Sequence, residues 1–544
     1  MDAEDRSRQA WQRLQQEQQA RALRFGPRPE KSRDIKRKLE PLVFGAVSLT
    51  PPDELDAYLQ TFLPVFRRRD TLWQAELYLM GLLSDLKRKN GETIEAAAPA
   101  ATQQGVWDFL VRSPWPADQL DQLRVRDGLR RAGCSDQPLD VLMDESGWRK
   151  KGHRSVGVGR QYLGSIGKVD NGQVVVSLHG CWGHMDLPLL GELYLPEPWT
   201  NDPLRRKQAK IPENRTFQTK PEIALALIDR VRGWGLTLGR MFGDPGYADL
   251  DLIQGLNLRN LPFCLGVKSV AFFSLPAQDW LPAVPAPPYS GHGRPRLGTP
   301  AQPRLYAAAE LRQIITDDRW RKVAYRDGVD GQPLIREFAA VRAHLTTHEQ
   351  VQDGLTNQGE ELWLLLERPC EPGVQPGCKQ YVISGPESMT LDELAQIAHR
   401  RPIIERNSYE NAKQEVGLSN YQGRSWVGFH HHLSMAWLAL TFLMLHRRPL
   451  PPPSTTLPPS PPPSTLPSPA SAPAPPPAGG TVPFSMTLAQ PALAPLPRPR
   501  QIWESAQEVH RRLVEWFHGM RFRELAFAGL LPPLPSLGSL PAGP

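Results

Sequence analysis

After Asp136 the apolar residues stop recurring at three- and four-residue intervals and come instead in short, β-branched runs punctuated by glycine. The runs "LDVLMD", "SVGVGRQYLG" and "GQVVVSLHG" follow one another, with Asn171-Gly172 as a turn signal before the third. Three such runs joined by tight turns predict an antiparallel meander. "KPEIALALIDRVRGWG" then restores the helical period and stops on glycine. "TLGRMFGDPGYADLDLIQGL" reads as strand, loop and helix, and "PFCLGVK" as a further strand. A meander followed by strands alternating with helices constrains this part of the chain to an α/β sheet with mixed pairing.

The flanking segments have other characters. Residues 1–40 are rich in Gln, Arg and Lys and poor in apolar periodicity, which predicts a basic helical segment or solvated tail that also suits phosphates. Residues 41–135 carry helical spacing in "LDAYLQTFLPVF" and "LWQAELYLMGLLSDLKRK", with basic corners at "FRRRD" and "KRKNGE", and form a candidate DNA-binding helical domain. The α/β core spans 136–280 and 381–448. Between its halves, residues 281–380 open on a Pro-, Gly- and Arg-rich loop and continue as "WRKVAYRDG", "LIREFAAVRAHL" and "ELWLLLERP", a β-rich insertion. Thr390-Leu391-Asp392-Glu393 is a capping box opening a helix, and Pro402 suits the first position of the next one. Residues 449–500 are a Pro-rich low-complexity linker, and 501–544 hold one more helix, "QIWESAQEVHRRLVEWFHGMRF", and a tail.

At 544 residues the chain exceeds a single compact core. Its net charge of +7 is mild overall, yet Arg149, Lys150, Lys151, Arg154 and Arg160 crowd into one stretch. Five cysteines, odd in number and mostly far apart, fit a reducing compartment, and Cys370 and Cys378 in "RPCEPGVQPGCKQY" read as thiols of a loop, since no second pair completes a metal site. The first residues lack an apolar export signal, and the longest apolar run, Leu433 to Leu445, is short of the roughly 20 residues a spanning helix requires, so a buried core helix is expected there.

Asp144 follows the apolar part of the first run, and Asp244 follows the "RMFG" strand. Side chains at strand ends converge on ligands in α/β sheets, and two carboxylates there suit Mg²⁺, which takes oxygen ligands and keeps places for phosphate oxygens. Asp-Glu-Ser-Gly and Asp-Pro-Gly are also turn sequences, so each acid has a purely local reading as well. Glu405, four residues after Arg401 at the start of a helical stretch, is a third acid. Three consecutive histidines, His430, His431 and His432, project about 100° apart on a helix and cannot share one ion. Trp148 and Trp426 suit either core packing or stacking on an unpaired base.

From about Phe66 to Leu445 the chain resembles the DDE transposases of bacterial insertion sequences, in the branch with a Tyr-x2-Arg-x3-Glu-x6-Lys signature at the third acid. The resemblance rests on "RRRDTLWQAELYLMGLLSDLKRKNGE", "DESGWRKKGHRSVGVGRQYLGSIGKVDNGQVVVSLH", "ELYLPEPWTNDPLRRKQAKIPENRTFQTKPEIA", "GDPGYAD" and "IIERNSYENAKQEVGLSNYQGRSWVGFHHHLSMAWLALTF", in that order. It implies a ribonuclease H-like core with a β-rich insertion, Asp144, Asp244 and Glu405 as metal-binding catalytic acids, and two Mg²⁺ ions for which Mn²⁺ substitutes. It further implies DNA as substrate, at element ends and target, a homodimer on paired ends, and a place on the bacterial nucleoid in the cytoplasm. Lys150, Lys151, Arg154, Arg160, Arg401, Lys413 and Arg424 are the candidates for holding backbone phosphates. The signature is imperfect: its Tyr position falls on Ala398 and its Lys position on Ala412, one before Lys413, and Glu410 and Glu415 offer competing frames for Glu405.

Overall fold

A computed structural model of the chain describes residues 53–97, 105–182, 185–275, 305–327, 332–346, 360–370, 377–401, 411–446, 507, 509–511 and 514. It is a mixed α/β fold, as the switch in apolar spacing predicts.

Helices come first: α1 Asp53–Gln60, α2 Arg69–Leu82, α3 Gly91–Ala97, α4 Gly105–Val111 and α5 Ala117–Arg131. From Leu72 to Leu82 every residue of α2 is buried, Gln74 and Glu76 included, so it lies inside the cluster rather than on its surface, with Leu77, Tyr78, Leu79 and Leu82 all at 2% exposure or less.

Strands β1 Leu139–Arg149, β2 Gly159–Leu163, β3 Lys168–Trp182 and β4 Met185–Leu193 follow, all antiparallel, with β3 pairing each of the other three. After the short helices α6 Glu197–Thr200 and α7 Pro203–Ala209, α8 Lys220–Gly233 opens on a Thr219/Glu222 capping box and packs across β3 and β4. The chain then enters β5 Leu238–Gly243, parallel to β1, and α9 Leu250–Leu258 returns it to β6 Phe263–Gly266, parallel to β5. Parallel neighbours require such helical crossovers.

The remaining strands are β7 Phe272–Ser274, β8 Leu305–Ala307, β9 Arg321–Asp327, β10 Pro333–Thr346, β11 Leu362–Arg368 and β12 Lys379–Ile383, with α10 Ala308–Ile314 after β8. They extend the same sheet, which among the described residues runs β2-β3-β1-β5-β6-β12-β11-β10-β7-β8, with β4 on β3 and β9 on β10. α11 Leu391–Ala398 starts on the expected Thr390 capping box, α12 Asn411–Gln414 is one turn, and α13 is Trp426–Leu445. Pro402 and the Pro-rich linker lie outside the described residues.

The apolar run after Leu433 is a buried core helix, with Met435 to Leu443 nearly all inaccessible, and among the described residues no helix is long and apolar enough to cross a membrane. α13 lies against β4, where Gly191 leaves the space that the Trp437 ring fills. Arg124 of α5, wholly buried, donates to the carbonyls of Pro188 (2.5 Å) and Leu189 (2.9 Å), to Thr441 Oγ1 (3.1 Å) and to Asp121 Oδ1 (3.0 Å), while Ser434 donates to Asp121 Oδ2 (2.7 Å). One ion pair thus ties α5, β4 and α13 together, and burial holds the Asp121 carboxyl above its usual range against the pull of Arg124.

Three local readings are overturned. β1 does not end at Asp144: it continues through Asp-Glu-Ser-Gly to Arg149, paired with β3 as far as Gly172, because a long partner strand outweighs turn propensity. Asn171-Gly172 is not a turn but part of β3. The β2–β3 connection is Gly164 to Gly167, with Gly167 at φ 65°, and the Asn171 amide instead donates to the carbonyls of Lys150 (2.6 Å) and Gly152 (3.0 Å). The meander also holds a strand with no clear signal in the sequence, β4, whose Pro188 sits opposite His179 at a shift of register, where a residue lacking an N–H is tolerated.

Candidate active site

The last registered pair between β1 and β5 is Met143 with Gly243, and the next residue on each strand is an acid. Parallel neighbours lie about 4.8 Å apart, so Asp144 and Asp244 start from adjacent points of the backbone. Asp144 is buried at 8% exposure and its Oδ1 accepts the Glu145 N–H at 2.7 Å. Asp244 is half-buried, and its Oδ1 accepts the Gly246 N–H at 2.8 Å, closing the turn that Asp-Pro-Gly predicts. The local reading of Asp244 as the acid that closes this turn therefore holds. Gly243 is required here, since a Cβ would come within 2.9 Å of Tyr247 Cβ.

Glu145, on the alternate face of β1, is ion-paired with Lys220 in the first turn of α8. The Gly147 carbonyl accepts Ser165 Oγ at 3.0 Å and is reached by Lys413 Nζ at 3.5 Å, so Lys413 is brought to the strand that carries Asp144.

The expected third acid, Glu405, and its competitor Glu410 lie outside the described residues. Glu415 is described and is committed elsewhere: its carboxylate faces His510 Nδ1 at 2.5 Å, and its carbonyl accepts the ammonium of Lys89. Burial pulls Lys89 down to about 8, against the opposing charges of Glu415 and Asp85. Among the described residues no group of three His, Cys, Asp or Glu side chains gathers around a point that could hold an ion.

The basic candidates divide. Lys151, Arg154, Arg160 and Arg424 are exposed, and Arg401 is half-buried. Lys150 turns inward to donate to the Tyr421 carbonyl, and burial lowers its pKa to about 8. The three histidines diverge as the helical spacing requires. His430 contacts the Trp426 carbonyl (2.9 Å), His431 lies between the carbonyls of Leu110 (2.8 Å) and Trp115 (2.9 Å), and His432 bridges Tyr78 Oη (2.7 Å) and the Leu418 carbonyl (3.0 Å). Trp148 stacks on Phe429 with centroids 6.1 Å apart, and Trp426 lies under the Arg215 guanidinium at 5.5 Å, each only 6% exposed, so both pack in the core. Cys370 and Cys378 are free and exposed.

One element of the site has no signature in the sequence. Asp140 Oδ1 accepts the Arg240 N–H at 2.9 Å and its Oδ2 pairs with Arg400 at 2.8 Å. Arg240 in turn donates to the carbonyls of Phe263 (3.0 Å) and Ser384 (2.9 Å), which joins β1, β5, β6 and the end of α11. Beside it, buried Glu367 accepts from Tyr381 Oη (3.1 Å), is ion-paired with Arg336 (2.6 Å) and lies 3.1 Å from His399 Nε2.

Comparison with known proteins identifies the family of the chain. A family model described as DDE superfamily endonuclease matches residues 61–332, a stretch that contains both Asp144 and Asp244. The probable transposase for insertion sequence element IS701 of Microchaete diplosiphon is 32% identical over 217 residues, 40% of this chain and 54% of that protein, so the match spans about half the length of that relative. A family model that matches half of the chain places it in the family of DDE superfamily endonucleases.

Proposed function

We propose that the chain is a transposase that cuts DNA at the ends of an insertion sequence and joins the freed ends to target DNA. The observation that carries the reading is the register of β1 and β5, whose last pair, Met143 with Gly243, is followed in each segment by an acid, Asp144 within β1 and Asp244 just past β5. This mixed sheet, with a carboxylate directly after the last pair of its parallel strands β1 and β5, supports a ribonuclease H-like core. Asp144 and Asp244 are a donor set that fits a hard cation, and Glu405 is assigned as the third ligand on the strength of the signature. Two Mg²⁺ ions, or Mn²⁺ in their place, would neutralise charge on the phosphodiester during its transfer.

The chain's own residues bind and orient. No side chain is needed as a covalent nucleophile: water opens the phosphodiester and leaves a 3′-hydroxyl, which then attacks a target phosphodiester, each step breaking one P–O bond as another forms. Lys151, Arg154, Arg160, Arg401, Lys413 and Arg424 hold backbone phosphates. Glu145 is a structural partner of Lys220. The protein works on the nucleoid in the cytoplasm, as a homodimer on paired ends.

The test is a strand-transfer assay with Mg²⁺ or Mn²⁺ on DNA carrying whatever inverted repeats are found to flank the gene, comparing wild type with Asp144→Asn. Cleavage and joining that vanish in the variant are expected. Cleavage without joining assigns a nuclease, and binding without cleavage assigns a DNA-binding scaffold; either result displaces the transposase reading.

A further inference from the structure

Between Arg149 and Asp170 the chain sets six basic residues, Arg149, Lys150, Lys151, Arg154, Arg160 and Lys168, against one acid, Asp170. The same stretch lifts three large apolar side chains into solvent: Tyr162 at 52% exposure, Ile166 at 37% and Val169 at 51%. They are arranged, not scattered. Tyr162 and Val169 face each other directly across the β2–β3 ladder, on the side that also carries exposed Arg160, while Leu163 turns to the opposite face and is buried. Ile166 sits at the tip.

The tip is close to the first acid. Ser165 donates to the Gly147 carbonyl at 3.0 Å, and Gly147 is three residues, roughly 10 Å along a strand, from Asp144. Lys413 approaches the same carbonyl. An apolar pair held out on a hairpin and ringed by cations matches a polyanion with an apolar interior, which is DNA whose bases have been partly unstacked. A second copy of the chain would bring the same excess of positive charge to this face and is repelled.

We propose that the β2–β3 hairpin is a wedge. Tyr162, Ile166 and Val169 pack against bases opened beside the scissile phosphate, and Lys151, Arg154, Arg160 and Lys168 hold the phosphates on either side, while Arg149 is paired with Asp170 at 2.8 Å. This rests on the DNA-cleaving reading above and adds to it the strand opening that exposes the end.

The experiment uses the full chain with Tyr162, Ile166 and Val169 all changed to Thr, a β-branched residue that suits the strands and touches nothing buried. Wild type, this variant and Asp144→Asn are assayed with Mg²⁺ on two duplexes of the flanking inverted repeat, one fully paired and one mismatched at its terminal pairs. A fluorescent adenine analogue at the end reports opening. The variant should lose about tenfold in cleavage of the paired end, recover to within about twofold of wild type on the mismatched one, and leave the analogue dark. Equal cleavage of paired ends by wild type and variant, or an equal loss on both duplexes, overturns the wedge and leaves the endonuclease reading standing. A wild-type chain that cuts neither duplex overturns that reading and the wedge with it. A variant whose DNA-free sedimentation coefficient falls assigns the patch to a second copy and also overturns the wedge.

Discussion

Arg400 and Asp140 form an ion pair at 2.8 Å that joins the end of α11, a few residues before Glu405, to the strand that leads to Asp144. The same carboxylate accepts the N–H of Arg240, four residues before Asp244. We expect Asp140→Asn, which keeps an acceptor for Arg240 and loses the charge, to cost at most about 1 kcal/mol of stability, because both partners are partly exposed. Cleavage should fall further, on the order of tenfold, since small displacements of positioning groups are costly. Thermal denaturation beside single-turnover cleavage separates the two, and a loss of activity no greater than the loss of folded protein would dismiss the positioning role.

Neighbouring carboxylates should behave very differently. Asp144→Asn should reduce cleavage by at least about a hundredfold, as losses of groups that stabilise transition-state charge do. Glu145→Gln touches only the ion pair with Lys220 and should stay within about threefold of wild type, with stability changed by about 1 kcal/mol or less. Comparable losses in both variants would count against Asp144 as the acid of the site.

Lys150 and Lys151 are adjacent in sequence and opposite in environment. The inward Lys150, bonded to the Tyr421 carbonyl, should affect folding when changed to Met and leave the salt dependence of DNA binding almost untouched. Lys151→Ala or Arg154→Ala should leave stability alone and lower the slope of log affinity against log salt by about 0.9 for each phosphate that is no longer neutralised. Binding titrations at several salt concentrations decide between them.

Four histidines make the fold sensitive to acid. Burial pulls His179 and His430 down to about 3 and His431 and His432 down to about 4, from an ordinary value of 6.5. The unfolded chain therefore binds more protons than the folded one below pH 6.5, and stability is lost as pH falls from there toward 4. Each buried ring adds up to about 1.4 kcal/mol per pH unit across that window. Urea denaturation at a series of pH values should show the slope, and His432→Gln should reduce it by about one proton; an unchanged slope would mean the ring is already charged when folded.

The buried Arg124–Asp121 pair gives a stability prediction. Asp121→Ala leaves a guanidinium with no anion beside it in a dry core and should cost about 3 to 5 kcal/mol in urea denaturation. A loss under 1 kcal/mol would show that the carbonyls of Pro188 and Leu189 suffice for Arg124.

What the sequence conveyed was local. β5, α9 and β6, the capping box at Thr390 and the burial of α13 are set by short-range spacing and caps, and they are legible. The continuation of β1 past Asp144 and the absorption of Asn171-Gly172 into β3 depend on each other, since each supplies the partner that overrides the other's turn propensity. The same holds at the site. The position of Asp244 follows from a strand end, whereas Asp144 lies inside β1, and the bond of Asp140 to Arg400 and the inward turn of Lys150 join residues more than 250 apart, so no spacing announces them.

Val509 is fully buried in the main core, and His510 beside it contacts Glu415 and the carbonyls of Leu83 and Ser84. Val509 therefore completes a core whose other members among the described residues all lie at or before Leu445. Cleavage within the intervening segment would leave two pieces held together without a covalent link, whereas a chain terminated there would lack a plug for its own interior. Nicking by a protease and truncation by a stop codon, equivalent on a gel for the larger fragment, should have opposite consequences for solubility.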